Sequence, residues 1–149
     1  MSQSLSKIYL HFIFSTKNRN DCFKDTVFKQ KLYQYITGII KKRNCGFASI
    51  GGTENHVHVL LQINRTHSPA KVIEHIKRGS AIWIQSNNIE LNKFQWQKGY
   101  GCFSVSHSML NVVKNYIENQ EQHHRGFDYK KELMLLCKKH DVEFDEQYW

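Results

Sequence analysis

The chain has 149 residues, the length of one ordinary domain, with 21 Lys and Arg against 13 Asp and Glu. We expect a single domain over residues 1–149. No apolar run approaches the roughly 18 residues of a membrane-spanning helix, and the Met1 to Lys7 segment lacks the apolar stretch of a secretory signal. We therefore expect a cytoplasmic protein with no membrane partner. Its four cysteines form no C-x-x-C pair, which argues against a zinc knuckle.

The formal net charge is +8 and the pI is near 9.4. This charge favours a polyanionic partner, and nucleic acid is the leading candidate, because Lys and Arg neutralise phosphates without regard to base sequence. On charge alone, a merely basic and soluble surface is an equal alternative. The motifs have to decide between them.

The first half of the chain predicts a strand, a helix and a hairpin. The side chains from Lys7 to Ser15 have the two-residue alternation of a strand, and both faces are rather apolar. This pattern predicts a central strand. From Asp25 to Arg43 apolar residues recur at helical spacing. Two strands, about Gly46 to Ile50 and His56 to Ile63, follow around a glycine-rich turn.

The second half adds a helix, a strand and two further helices. The first helix begins at the only proline, Pro69, and runs to about Gln85. Phe94 to Trp96 and then Gly101 to Ser106 have strand composition. Helices are predicted over Ser108 to Gln122 and Asp128 to His140. The order β-α-β-β-α-β predicts an α+β fold of ferredoxin-like type, an antiparallel sheet with helices on one face and additional C-terminal helices.

Two short motifs could carry chemistry. His56 and His58 lie two apart on a strand, so their imidazoles share one sheet face. Tyr116 and Gln120 lie four apart on a helix and project from one side of it. Each motif alone is more often structural: partly exposed or hydrogen-bonded histidines, a half-buried core tyrosine and a solvated glutamine. Only their combination is informative.

In combination and in order, the segments resemble the small single-tyrosine transposases of IS200-like insertion sequences and the related REP-associated tyrosine transposases. The resemblance covers nearly the whole chain. Its matching segments are Tyr9 to Arg19, His56 to Leu60, Ile76 to Ala81, Trp96 to Gly101, and Tyr116 to Gln120 with His123 and His124. We interpret the last two histidines as surface residues.

The resemblance implies that His56, His58 and Gln120 bind a divalent metal, Mg²⁺ or Mn²⁺, and that Tyr116 attacks DNA. Such a metal leaves positions open for phosphate oxygens. Attack by a tyrosine would cleave and rejoin single-stranded DNA through a covalent 5′-phosphotyrosine. Lys114 or the metal could help the phenol to ionise, but no base is assigned. Family members usually have Asp where this chain has Asn55, which can still orient a ligand by hydrogen bonding.

The implied partners are DNA hairpins with single-stranded flanks and a second copy of the chain, forming a homodimer whose tyrosine helix could complete the partner's site. Exposed aromatics such as Trp83 or Tyr100 could stack on unpaired bases. Phosphate contacts are predicted for seven basic residues, Lys17, Arg19, Lys41, Lys42, Arg43, Lys77 and Arg78.

Two other functions remain open. A domesticated, non-catalytic relative would bind nucleic-acid hairpins and would not need Tyr116. A metal-dependent nuclease would use water as the nucleophile and leave no protein–DNA adduct.

Overall fold

A computed structural model describes residues 2–123 and 128–148. It contains four strands, β1 (Ile8–Ser15), β2 (Gly46–Gly52), β3 (His56–Ile63) and β4 (Gly101–Val105). All pairings are antiparallel, in the order β2-β3-β1-β4. This is the ferredoxin-like order, with β1 central as predicted.

The helices are α1 (Thr26–Lys42), α2 (Pro69–Asn87), α3 (Leu110–Glu118), α4 (Gln120–His123) and α5 (Tyr129–Lys139). Three of them begin where the sequence predicts, because a side chain caps the first turn. The carboxylate of Asp25 accepts from the backbone of α1, and Ser68 and Asp128 do the same for α2 and α5. None of the helices in the described residues combines the length and hydrophobicity that a bilayer crossing requires.

The two faces of the sheet are covered by different helices. One face packs against α1 and α2 in a core that includes Phe12, Phe14, Leu32, Val59 and Ile76. The other face packs against α3 and α5 in two smaller clusters, one around Ile13 and Leu133 and one around Leu60 and Ile117. The α+β fold is therefore as predicted, and the C-terminal helices form a layer on the second face.

Two predicted elements differ in detail. Residues Phe94 to Trp96 form only a single bridge, between Trp96 and Thr16, and not a strand. The helix predicted from Ser108 to Gln122 is interrupted at Asn119, whose backbone leaves the helical region. The side-chain amide of Asn119 donates to the Asn115 carbonyl at 2.8 Å. The interruption separates the helix of Tyr116 from the short helix that carries Gln120.

Candidate active site

His56 and His58 lie on the sheet face covered by the C-terminal helices. Both side chains are fully buried, and their ring centroids are 5.3 Å apart. They pair in register with Ser15 and Ile13 of β1. The strand alternation thus brings the two imidazoles to one place, as the sequence predicts.

His56 is held by the turn before β3. Its Nδ1 atom lies 2.8 Å from Oδ1 of Asn55 and 3.0 Å from Oγ1 of Thr53. The amide nitrogen of Asn55 points towards Oδ1 of Asp21 at 3.4 Å, so its oxygen faces the imidazole. An amide oxygen only accepts hydrogen bonds, so it suits the tautomer of His56 with the proton on Nδ1, in which Nε2 can present a lone pair to a metal. Asn55 can therefore orient His56 as the usual aspartate would.

His58 is held by a residue that the sequence did not single out, His11 of β1. Nε2 of His11 lies 2.7 Å from Nδ1 of His58. Burial, and the neighbouring His58, hold the pKa of His11 well below its usual range. A neutral His11 can accept a hydrogen bond from Nδ1–H of His58, and in that tautomer Nε2 of His58 can present a lone pair to a metal.

A carboxylate from α5, Glu132, meets both imidazoles. Its Oε1 atom lies 2.8 Å from Nε2 of His58 and 3.3 Å from Nε2 of His56. Oε1 of Gln120 lies 3.3 Å from the same His56 atom. All four side chains are buried. In the described part of the chain, His56, His58 and Glu132 form the one group of His, Cys, Asp or Glu side chains able to hold a metal, with donor atoms within 4.8 Å of one another.

The donor set fits a divalent metal. With the proton on Nδ1 of each histidine, two imidazole lone pairs and two side-chain oxygens converge on one point. Such lone pairs repel one another unless a proton or a cation lies between them. Nitrogen and oxygen donors together suit Mn²⁺, and oxygen donors suit Mg²⁺.

Sequence reasoning missed Glu132, although α5 carried a signal. Tyr129, Leu133 and Cys137 form the buried stripe of this helix, and Glu132 lies on the same stripe with 1 % of its surface exposed. A carboxylate on the apolar side of a helix is rare unless a partner or a metal compensates for its charge.

Tyr116 lies beside this cluster within the same chain. Its phenol donates a hydrogen bond to Oε2 of Glu132, and its ring meets the ring of His58 edge-on at 5.8 Å. Burial, together with the charge of Glu132, raises the pKa of Tyr116 above its usual range. The hydroxyl is therefore protonated at neutral pH. Lys114, the predicted helper, is exposed on α3.

The position of α3 depends on a close backbone approach. A Cβ atom at Gly51 would lie 2.1 Å from the carbonyl oxygen of Ile117. Only glycine leaves room for the helix at this point of β2. Because Ile117 follows Tyr116, this contact sets the height of the tyrosine above the sheet.

The predicted DNA-contacting residues fall into two groups. Lys17 and Arg19 follow β1, whose last residue, Ser15, pairs with His56. The other five lie on or next to α1 and α2, on the opposite face of the sheet: Lys41, Lys42, Arg43, Lys77 and Arg78. The structure thus brings Arg19, whose backbone carbonyl accepts a hydrogen bond from the Asn55 side chain at 3.5 Å, near the candidate metal centre. Lys17 instead lines a surface pocket with Glu90 and Gln95, and the second group lies away from the centre.

Three of these residues and both candidate stacking aromatics have structural contacts. Arg78 pairs with Glu74 at 2.8 Å, and Tyr100 packs on Phe12 with ring centroids 6.1 Å apart. The Lys77 ammonium donates to the carbonyls of Gln97 at 2.7 Å and Gly99 at 2.8 Å, and Lys17 donates to Oε1 of Gln95 at 3.1 Å. Trp83 stacks between Phe28 of α1 and Tyr35, also of α1. The prediction for His123 and His124 lies outside the described side chains.

The fold and this site define a small α+β protein in which a tyrosine adjoins a candidate metal centre. A family model described as "Transposase IS200 like" matches residues 4–120. The chain therefore belongs to the IS200-like transposases, a family of DNA-recombination proteins. The match ends at Gln120, so α5 and Glu132 lie beyond it.

Solved structures with a similar fold include two transposases. One is a protein from Deinococcus radiodurans R1 assigned as a transposase, with a TM-score of 0.62, 23 % identity, and coverage of 80 % of this chain and 98 % of that one. The other is a REP-associated tyrosine transposase bound to a REP hairpin, with a TM-score of 0.56, 15 % identity, and coverage of 78 % and 70 %. A search among curated proteins finds no match.

Proposed function

We propose that this transposase cleaves and rejoins single-stranded DNA through a covalent bond between Tyr116 and a 5′-phosphate. The observation that carries the proposal is the shared carboxylate. Glu132 accepts a hydrogen bond from the Tyr116 hydroxyl through one oxygen and meets both histidines through the other. This shared contact supports Tyr116 as the nucleophile and the neighbouring side chains as its metal donors.

A divalent metal would be held by His56, His58 and Glu132, with Gln120 as a further oxygen donor. Bound there, it would neutralise charge on the phosphate and polarise its phosphorus. The protein's own residues orient these donors, since Asn55 and His11 hold the two imidazoles through Nδ1. Burial keeps bulk water away from the donors, which favours attack by the tyrosine over hydrolysis.

The covalent step conserves the phosphodiester energy. The phenol oxygen of Tyr116 bonds to phosphorus while the bond to the 3′-oxygen breaks. The phenol proton leaves through the hydrogen-bonded carboxylate, and the departing 3′-oxygen takes a proton from water. Attack by a new 3′-hydroxyl reverses the step at another junction, so no nucleotide cofactor is required. A phosphate loop of the type G-x-x-x-x-G-K-[ST] is absent from the sequence.

Hairpin DNA is the substrate class that we propose. One structurally similar protein is a tyrosine transposase bound to a REP hairpin, and the present chain has a net charge of +8. Homodimerisation, which the family resemblance implies, remains a prediction. A single chain already places Tyr116 beside its own histidines.

The test is to incubate the purified protein with labelled single-stranded DNA carrying the hairpins that flank its gene, with and without Mn²⁺ or Mg²⁺. A denaturing gel should show a metal-dependent protein–DNA band that is absent for Tyr116→Phe. Cleavage without such a band would show a nuclease that uses water. Hairpin binding without cleavage, unchanged in Tyr116→Phe, would show a non-catalytic binding protein.

A further inference from the structure

A cleft leads from the surface to the hydroxyl of Tyr116. It has a volume of about 420 Å³, lies between β4, α3 and α5, and ends at Tyr116, Glu132 and His11. The metal donors are buried, whereas Tyr116 is half-buried and lines this cleft. A DNA strand that enters the cleft reaches the phenol.

The walls of the cleft are mainly apolar. Met109 at the start of α3, Val112 on α3 and Leu135 on α5 line it and are exposed by 40 %, 58 % and 59 %. Half-buried Val113 and Leu136 continue the same walls inward. These exposed side chains come from two different helices and line the same cleft. They form an apolar surface patch, which the packing of the core does not explain.

The chemistry of the cleft matches a nucleotide. A phosphate by itself gains nothing from apolar walls, but a nucleobase has a flat apolar face that does. The exposed Lys139 lies at the cleft and can meet the phosphate that follows the base. At the same end, the ring of His140 stacks on Phe103 with centroids 4.7 Å apart, giving a firm planar wall.

We propose that this cleft binds one unpaired nucleobase next to the phosphate that Tyr116 attacks. The site would select unpaired strands, because a base held in a Watson–Crick pair cannot enter between two helices. The placement of the phosphate rests on the proposed function, whereas binding of the base does not. Contacts to the apolar walls predict little discrimination among the four bases.

The sequence supplies its own reporters, since the chain has three methionines, Met1, Met109 and Met134. Met109 lines the cleft, whereas Met134 does not line it and belongs to a neighbouring cavity along α5. We would label the methionine methyl groups of the full chain with ¹³C and titrate them with pentathymidylate. The control ligand is a five-unit sugar–phosphate chain of equal charge without bases.

The Met109 methyl signal should move upfield with pentathymidylate and stay in place with the baseless chain, while Met134 does not respond. Binding to the rest of the basic surface would leave Met109 unaffected. The proposal is overturned if Met109 does not move at DNA concentrations that saturate binding, or if both ligands move it equally.

A pair of variants gives a second measurement. Leu135→Gln replaces an exposed cleft residue and should weaken pentathymidylate binding on the order of tenfold. Val142→Gln replaces a residue of similar exposure, 47 %, that lies outside the cleft, and should bind like the parent protein.

The two proposals can fail separately. If hairpin DNA forms no adduct but Met109 still responds to pentathymidylate, the proposed tyrosine chemistry is wrong and the cleft still binds a base. If an adduct forms, is insensitive to Leu135→Gln and leaves the Met109 signal in place, only the proposed base-binding site is wrong.

Discussion

Oε1 of Glu132 lies 2.8 Å from Nε2 of His58, although 74 residues separate the two in the chain. The contact joins the last long helix to the central part of the sheet. Because the family match ends at Gln120, the helix that carries Glu132 lies outside the matched segment. The candidate metal centre of this chain therefore draws on two parts of the sequence, one inside the family match and one beyond it.

Replacing Glu132 with glutamine should weaken metal binding. The change removes the one charged donor from the cluster while keeping its size, so Mn²⁺ affinity measured by titration calorimetry should fall by at least about tenfold. Glu143→Gln, on an exposed position after α5, is the matched control and should bind like the parent. Unchanged Mn²⁺ affinity in Glu132→Gln would remove this residue from the metal centre.

Asn55 should act through the orientation of His56. Asn55→Ala deletes the acceptor for Nδ1–H and should reduce Mn²⁺ affinity by roughly 10–100-fold. Asn55→Asp keeps an acceptor and adds negative charge, so its affinity should equal or exceed that of the parent. The same calorimetric titration compares all three proteins. Equal loss in both variants would show that the position matters only for folding.

Gly51→Ala should impair strand transfer without abolishing DNA binding. The added methyl collides with the backbone of Ile117 and displaces the tyrosine helix, and a shift of about 1 Å can lower a rate on the order of 100-fold. At Gly38 of α1 an added Cβ would meet no atom within 4 Å, so Gly38→Ala should keep full activity and stabilise the helix by about 0.5–1 kcal/mol. Adduct yield and thermal unfolding of the two variants test this contrast.

Lys77 should contribute to stability through the loop at residues 97–99. Lys77→Met leaves two carbonyls without their donor and should cost about 1–3 kcal/mol in the free energy of unfolding. Arg78→Ala removes an exposed pair with Glu74 and should cost less than about 1 kcal/mol. Urea unfolding measures both. If Lys77→Met is as stable as the parent but binds DNA more weakly, Lys77 contributes to DNA binding and not to the stability of the fold.

The same lysine predicts a pH dependence. Burial lowers the pKa of Lys77 to about 8, below its ordinary value of 10.5. At a pH between these two pKa values, the unfolded chain binds more protons at Lys77 than the folded chain does. The contribution of Lys77 to stability therefore rises with pH in this range and is lost as the pH falls through about 8. The gap in stability between the parent and Lys77→Met should widen from pH 7 to pH 10.

The placement of Tyr116 beside its own histidines predicts catalysis within one chain. A mixture of His56→Ala and Tyr116→Phe proteins should form no adduct, because neither contains a complete site. Adduct formation by the mixture would show that the tyrosine helix crosses to the partner in a dimer. Light scattering on the parent protein determines the oligomeric state independently.

Local patterns in the sequence were sufficient for most of the fold. Strand alternation placed His56 and His58 on one face, and side-chain caps at Asp25, Ser68 and Asp128 set where three helices begin. These features depend on neighbours within one or two turns, so they can be read without knowing what packs against them.

Tertiary structure alone brought Glu132 and His11 to the histidines. Both belong to other elements and reach them only when α5 closes over the sheet and β1 pairs with β3. It also separated Arg19, near the site, from the basic residues of α1 and α2 on the opposite face. Charge and periodicity show which residues are basic or buried. Which of them meet across elements far apart in the chain is decided by long-range packing.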